Sequence, residues 1–153
     1  MKQMQRHMSP TKLALLGILC LATVAGLVKH SKASVGNISK ADLSGNWQAT
    51  LIAANSGCGP MSMLVNFTLN GSGVATNANI VEHGACADTT VTGQTFTIQS
   101  LGSNGSGTAG LSCGSGCGWG FNIQVSPDRG TINLVDVNSG NPNNFVEGTA
   151  IHQ

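Results

Sequence analysis

Four of the five cysteines, those that follow the predicted signal segment containing Cys20, are the residues whose type and spacing point most directly to chemistry. Cys58 and Cys86 are isolated, whereas Cys113 and Cys117 form a close C-x3-C pair. Thiols form disulfides or bind metal as thiolates, and an even number of cysteines in an exported domain is typical of disulfides. Four cysteines allow three pairings, and we expect Cys58 with Cys86 and Cys113 with Cys117.

Metal binding and redox chemistry are the alternative uses of these groups. Structural zinc usually draws on two close cysteine pairs, and this chain has one. The C-x3-C pair lacks the C-x-x-C spacing that lowers a thiol pKa. A soft copper site built from Met61, Met63 and His83 competes with the common use of methionine as core filler. We therefore predict no metal and no cofactor.

Groups able to transfer protons are few. Glu82, His83 and Asp88 are the one cluster with acid and base capacity, and His152 lies next to the C-terminal residue. Neighbouring residues of a strand point to opposite faces, so Glu82 and His83 would not act together on one substrate. No recognisable nucleophile motif accompanies them. We predict a non-enzymatic protein with no catalytic residue.

The first 33 residues carry the pattern of an export signal. Basic residues precede an apolar run from Leu13 to Val28, and Ser31-Lys32-Ala33 has the small residues of a cleavage site. An uncleaved anchor is the alternative, although the run is shorter than the ~20 residues that span a bilayer. We predict a signal peptide at 1–33 and an exported product that is periplasmic, cell-surface or secreted.

Cleavage at this site would reverse the net charge. Residues 34–153 keep only Lys40 and Arg129 against all six acidic side chains, a formal charge of −4 with histidine neutral. Two cations cannot form the basic footprint that binds phosphates. This composition excludes nucleic acid as a partner, and it excludes an anionic membrane surface after cleavage.

Alternation of apolar and polar residues predicts an all-β domain. The pattern is clearest over 63–70 and 119–126, where every second residue is apolar, as in half-buried strands. No segment after residue 34 sustains a helical apolar pattern. Weaker strands are predicted at 46–54, 74–82, 88–92, 95–101, 107–112, 130–137 and 145–151.

The connections predict how these strands are arranged. Short gaps favour antiparallel hairpins, with turns at Asn70-Gly71-Ser72-Gly73, at Thr92-Gly93, and over Ser126 to Gly130 as a type I turn closed by a glycine bulge. A meander of about eight strands avoids exposed edges by closing. We predict a closed or flattened barrel at 45–153 after an N-terminal tail at 34–44. A β-sandwich is the alternative.

One segment resembles a known group of barrels. Asp42-Leu43-Ser44-Gly45-Asn46-Trp47 is similar to the Gly-x-Trp opening of calycin-type barrels, which include lipocalins, avidins and small periplasmic inhibitors of secreted metalloproteases. The resemblance implies that Trp47 begins the first strand and closes one barrel end. The alternative is that Trp47 is simply a core anchor, and Trp119, on the apolar face of its strand, is a second anchor.

The branches of this group imply different functions. An avidin-like biotin site needs several tryptophans and a tyrosine, and this chain has no tyrosine. The protease inhibitors are similar to this chain in their small size, their secretion and a cysteine pair comparable to Cys58 and Cys86. In them the segment before the first strand enters the protease cleft, which implies that role for Ser34 to Lys40.

Three hypotheses for function follow. The first is an exported interaction module, including a secreted inhibitor, that binds a protein partner or a second copy of itself. The second is a carrier of a small apolar ligand, which requires a barrel wider than its own side chains. The third is a structural protein of the envelope or extracellular matrix, which would assemble through an uncapped strand edge.

Overall fold

Eight antiparallel strands follow one another around a closed barrel. The computed structural model describes residues 36–55, 59–85, 88–112, 118–137 and 145–153. The strands are β1 (Gly45–Asn55), β2 (Gly59–Leu69), β3 (Val74–Gly84), β4 (Asp88–Leu101), β5 (Ser106–Ser112), β6 (Gly118–Val125), β7 (Thr131–Asp136) and β8 (Phe145–His152). A 3-10 helix, Lys40–Leu43, precedes β1. The predicted all-β meander is confirmed, and it closes as a barrel instead of a sandwich.

Pairing of β1 with β8 closes the sheet. The register runs from Trp47 opposite His152 to Ala54 opposite Phe145, while the other edge of β1 pairs with β2 along its whole length. Each strand therefore has a hydrogen-bonded neighbour on both sides. Closure removes the free edges at which strands of separate chains pair.

The inward side chains form one apolar core. Successive residues of each strand alternate between the core and the outside, so closure selects one set of side chains for the interior. Trp47 and Phe121 are the largest fully buried side chains, and the rings of Phe67 and Phe96 pack 4.6 Å apart. No polar or charged residue of the described chain is buried as a whole. An eight-stranded barrel has an interior that its own side chains can fill.

The two barrel ends differ. Tight turns connect β2 to β3, β4 to β5 and β6 to β7 at one end, where the 3-10 helix also lies. We call this the helix end. The strand termini that precede and follow the other four connections lie at the opposite end, which we call the loop end.

One predicted turn is a bulge instead. The predicted strands 88–92 and 95–101 are a single strand, β4, which passes through Thr92-Gly93 without reversing. Ala78 pairs with Gln94 and Ile80 with Val91, so β4 carries one extra residue there. Gly93 has a φ of 67°, the left-handed conformation that glycine supplies at such bulges. The prediction was wrong because a glycine after a threonine serves a bulge as well as a hairpin.

The other two turns are formed where they were predicted. Asn70 Oδ1 accepts hydrogen bonds from the backbone N–H groups of Ser72 and Val74, both at 3.0 Å, and holds the β2–β3 turn. In the β6–β7 turn the left-handed residue is Arg129, with a φ of 62°, and not Gly130. A type I turn followed by a bulge needs positive φ at its fourth residue, and that position holds an arginine.

A substitution at Gly148 tests how closely β8 packs against β1 where the sheet closes. A Cβ atom at this position would overlap the Thr50 carbonyl oxygen and lie 2.9 Å from Leu51 Cα, both in the paired strand β1. We expect Gly148→Ala to lower the free energy of unfolding by about 1–3 kcal/mol, the usual effect of overpacking. Urea denaturation measures this, with Gly71→Ala as control because a Cβ there meets nothing within 4 Å. Equal stability of the two variants would contradict the role of Gly148.

Candidate functional site

The two tryptophans occupy different environments. Trp47 is 1% exposed, its Nε1 donates to Leu43 O at 2.8 Å, and its ring stacks on His152 with centroids 4.8 Å apart. It thereby joins the 3-10 helix to the first and last strands at the helix end. Trp119 is half-buried and packs against the edge of the core. The indole of Trp47 is therefore shielded from solvent, whereas Trp119 is partly exposed.

The N-terminal segment packs across the helix end of the barrel instead of projecting from it. Ile38 is buried, and its N–H donates to Ser103 O at 3.0 Å. Lys40 Nζ donates to Gln99 O at 3.1 Å, and Arg129 Nη2 donates to Gly36 O at 3.5 Å. The described part of the predicted cleft-entering segment, 36–40, is therefore docked on the helix end. Ser34 lies outside the described residues.

The predicted acid and base cluster divides between two contacts. His83 Nδ1 lies 2.6 Å from Asp88 Oδ1, and these side chains are 80% and 71% exposed. Glu82 Oε2 accepts a hydrogen bond from Thr89 Oγ1 at 2.7 Å and does not join that pair. Catalytic acids and bases are usually shielded from water, which shifts their pKa values. This exposed pair has the character of a solvated surface contact.

Between residues 36 and 153, outside the gaps given above, no three His, Cys, Asp or Glu side chains gather as a metal site would require. Over the same ranges no helix has the length and apolar character to cross a bilayer.

An exposed apolar patch lies on the outside of the barrel near the loop end. It consists of Ile52 on β1, Val135 on β7, Val137 just after β7, and Phe145 on β8. These side chains are 58%, 54%, 48% and 41% exposed, in that order. The three that lie in strands point away from the core, because an adjacent residue of each strand is buried in the interior. Clustered exposed apolar side chains are typical of interaction surfaces.

A groove runs along the patch over β8. It has a volume of about 490 Å³, and Ile52 and Val135 line its two sides. Glu147 lies between them in the register, opposite Ile52 on one side and opposite Val135 on the other. The apolar patch therefore carries one carboxylate at its centre.

Charge is distributed unevenly between the barrel ends. Lys40 and Arg129 lie at the helix end with two aspartates, so the charges there cancel. The remaining acidic residues, which number four, lie toward the loop end: Glu82, Asp88, Asp136 and Glu147. The apolar patch consequently lies on the acidic half of the barrel.

Sequence reasoning missed this patch. Ile52 follows Leu51 and Val135 follows Leu134, so two adjacent apolar residues break the alternation in each strand. That interruption was the available signal. A closed barrel leaves room inside for only one residue of each such pair, and the other must face outward.

All four cysteines predicted to form disulfides, Cys58, Cys86, Cys113 and Cys117, lie outside the described residues. Their described neighbours are informative. Ser112 and Gly118 pair directly across β5 and β6, and Met61 pairs with Gly84 across β2 and β3. The disulfides stay a prediction, and these flanking pairs are compatible with it.

No protein-family model matches this sequence, and no curated protein is significantly similar to it.

Acid sensitivity tests the docking of the N-terminal segment. Asp42 Oδ2 accepts hydrogen bonds from the Ser39 N–H at 2.8 Å and the Ser39 hydroxyl at 2.9 Å, and Arg129 Nε lies 3.9 Å away. The Ser39 N–H, the hydroxyl and the Arg129 charge, in that order, hold the pKa of Asp42 below its ordinary value of 3.8.

A carboxyl group whose pKa is lower in the folded state stabilises the fold at any pH above its unfolded-state pKa. That stabilisation is lost as the pH falls through its folded-state pKa. We expect the urea concentration at the unfolding midpoint of the wild type to decrease as the pH is lowered below about 4. Asp42→Asn should show a lower midpoint at pH 7 and a shallower fall below pH 4. Ser39→Ala, which removes one hydrogen bond, should lie between them. Superimposable profiles for wild type and Asp42→Asn would contradict this assignment.

Peptide mapping tests the predicted cystines and the predicted cleavage together. We expect material exported by its own cells to begin at Ser34 and to contain no free thiol. Proteolysis without reduction should release two linked species, one joining Cys58 to Cys86 and one containing Cys113 and Cys117. Ser112 and Gly118, which flank the second cysteine pair in the sequence, are opposite each other across β5 and β6. A Cys86–Cys113 link, or four free thiols, would overturn the assignment.

Proposed function

We propose that this protein is an exported, non-enzymatic interaction module that binds a protein partner through the apolar patch. The single observation that carries the proposal is the cluster of Ile52, Val135, Val137 and Phe145 on the outside of a barrel whose inner face is already packed. Export rests on the sequence of residues 1–33. The eight-stranded closed meander agrees with the calycin resemblance, a group rich in binding proteins.

The alternative functions have less support. A carrier of an apolar ligand needs an interior wider than its side chains, whereas the described inward residues pack together as one core. Edge-to-edge assembly of a structural protein needs an unpaired strand, and each strand here pairs on both sides. Inhibition through the N-terminal segment needs a projecting chain, and 36–40 is docked on the barrel.

Glu147 indicates what kind of partner fits. A symmetric dimer formed through the centre of the patch would bring two Glu147 carboxylates face to face, which is unfavourable. A different protein with an apolar surface and a lysine or arginine at its centre would pair with this carboxylate. The acidic half of the barrel favours the approach of such a partner.

Site-specific photo-crosslinking tests the proposal. A photoreactive amino acid replaces Ile52 in one variant and Ile151 in its control; both isoleucines lie on the outer face and are 58% and 55% exposed. We expect position 52, and not position 151, to capture one defined protein in the native extracytoplasmic fraction. Ile52→Lys should weaken binding of the purified partner at least about tenfold, whereas Ile151→Lys should not.

The contrary outcomes are distinct. Capture of a second copy of this chain at position 52 would replace the partner with self-association. Equal capture at the two positions, or none at position 52, would remove the patch as the binding surface.

A further inference from the structure

The outer surface holds a second feature, a polar groove at the helix end. Its volume is about 250 Å³, and none of the side chains that line it is charged. It lies over β1, β2 and β3, away from the apolar patch and independent of it. The polar side chains that line it are Asn46, Asn66, Thr68, Asn77, Asn79 and Gln153.

The groove exists because β2 and β3 separate. Their register ends at Asn66 opposite Asn79, and the backbone contact resumes only at the turn, where Asn70 N–H donates to Val74 O. On its other side β3 has one extra residue relative to β4, between Ala75 and Ala78. That bulge turns Thr76 and Asn77 outward together.

Side-chain amides occupy the opening. Asn77 Oδ1 accepts from the Thr68 backbone N–H at 3.2 Å, which satisfies a donor that the separated strand would otherwise leave unpaired. Because this N–H is already bonded to a side chain, it is not available for pairing with a peptide strand. The groove is thus suited to a ligand that contacts side chains.

The amides are already oriented. Gln48 Nε2 donates to Asn66 Oδ1 at 2.9 Å, and Thr68 Oγ1 donates to Asn46 Oδ1 at 2.8 Å. These bonds use the amide oxygens of Asn46 and Asn66 and leave their Nδ2 groups as the donors of the groove.

Asn79 supplies the acceptor. Its Oδ1 is buried and accepts no hydrogen bond from the described residues. A buried polar atom of this kind destabilises a fold unless something donates to it, so it calls for a functional explanation. Asn79 is one of the residues that line the groove, and a turn of its amide would let Oδ1 accept from a ligand hydroxyl, which would accept in turn from a neighbouring amide nitrogen.

We propose that this groove binds a neutral saccharide. Each sugar hydroxyl both donates and accepts, which matches amide nitrogens placed around one buried amide oxygen. The absence of basic side chains in the lining disfavours an anionic ligand, which would lose its hydration without gaining a partner. The volume fits about one sugar ring and is smaller than pockets for drug-sized ligands.

The first test is to titrate the oxidised, 15N-labelled wild-type protein with disaccharides and to follow its amide signals by NMR, which needs no variant. The neutral probes are cellobiose, maltose and diacetylchitobiose, and digalacturonate is the charged comparison. We expect at least one neutral disaccharide to give saturable shifts of the side-chain amides of Asn66, Asn77 and Asn79, and digalacturonate to give none. Failure of all three neutral probes would overturn the proposal, as would equal shifts with digalacturonate.

Asn79→Leu then separates binding from stability. Leucine has nearly the shape of asparagine and removes the unsatisfied acceptor, so the variant should unfold at the same temperature as wild type or above it. Its affinity for the active disaccharide should fall at least about tenfold. Asn122→Leu, on the exposed face of β6, is the control and should bind as wild type does. Unchanged affinity in Asn79→Leu, or a lowered unfolding temperature, would refute the assignment. Neither result bears on photo-crosslinking at Ile52.

Discussion

The hydrogen-bonded seam between β1 and β8 is the constraint on which the rest of the structure depends. Once Trp47 lies opposite His152 and Ala54 opposite Phe145, every strand has two neighbours and one interior face. That face becomes a single apolar core because side chains alternate along each strand. Recognition is then left to the outer face, since the described interior is occupied by the chain's own residues.

Closure also concentrates irregularity in particular strands. An extra residue occurs on β3 between Ala75 and Ala78, and others occur on β4 at Gly93 and between Ile98 and Ser100. Bulges of this kind increase twist and bend a strand, which a small barrel needs in order to close. The same irregularity turns consecutive residues outward. The polar groove over β3 is therefore a consequence of how the sheet bends, and its amides replace ladder hydrogen bonds that the bend removes.

Sequence reasoning reached the fold because the dominant signal is local. Alternation over 63–70 and 119–126 defined two strands, and short gaps excluded crossover helices, so an antiparallel meander followed. Thr92-Gly93 was misread because glycine with positive φ serves a hairpin and a bulge alike, and only the partner strand distinguishes them. Ile52 and Val135 were missed as surface residues because adjacent apolar pairs do not reveal which member faces inward. Asn79 gives no sequence signal at all, since its burial depends on where β2 and β3 separate.

The sparse charge of the barrel bears on how it discriminates between partners. Lys40 and Arg129 both contact the helix end, Lys40 through Gln99 O and Arg129 beside Asp42. The other four carboxylates of the described barrel lie toward the loop end. A field of four carboxylates is modest, so it steers a partner weakly at physiological salt and acts mainly on contact. Under those conditions selectivity comes from the cost of burying Glu147 without a counter-charge. An apolar surface that lacks a basic group would therefore bind the patch more weakly than one that has it, even if both bury the same area.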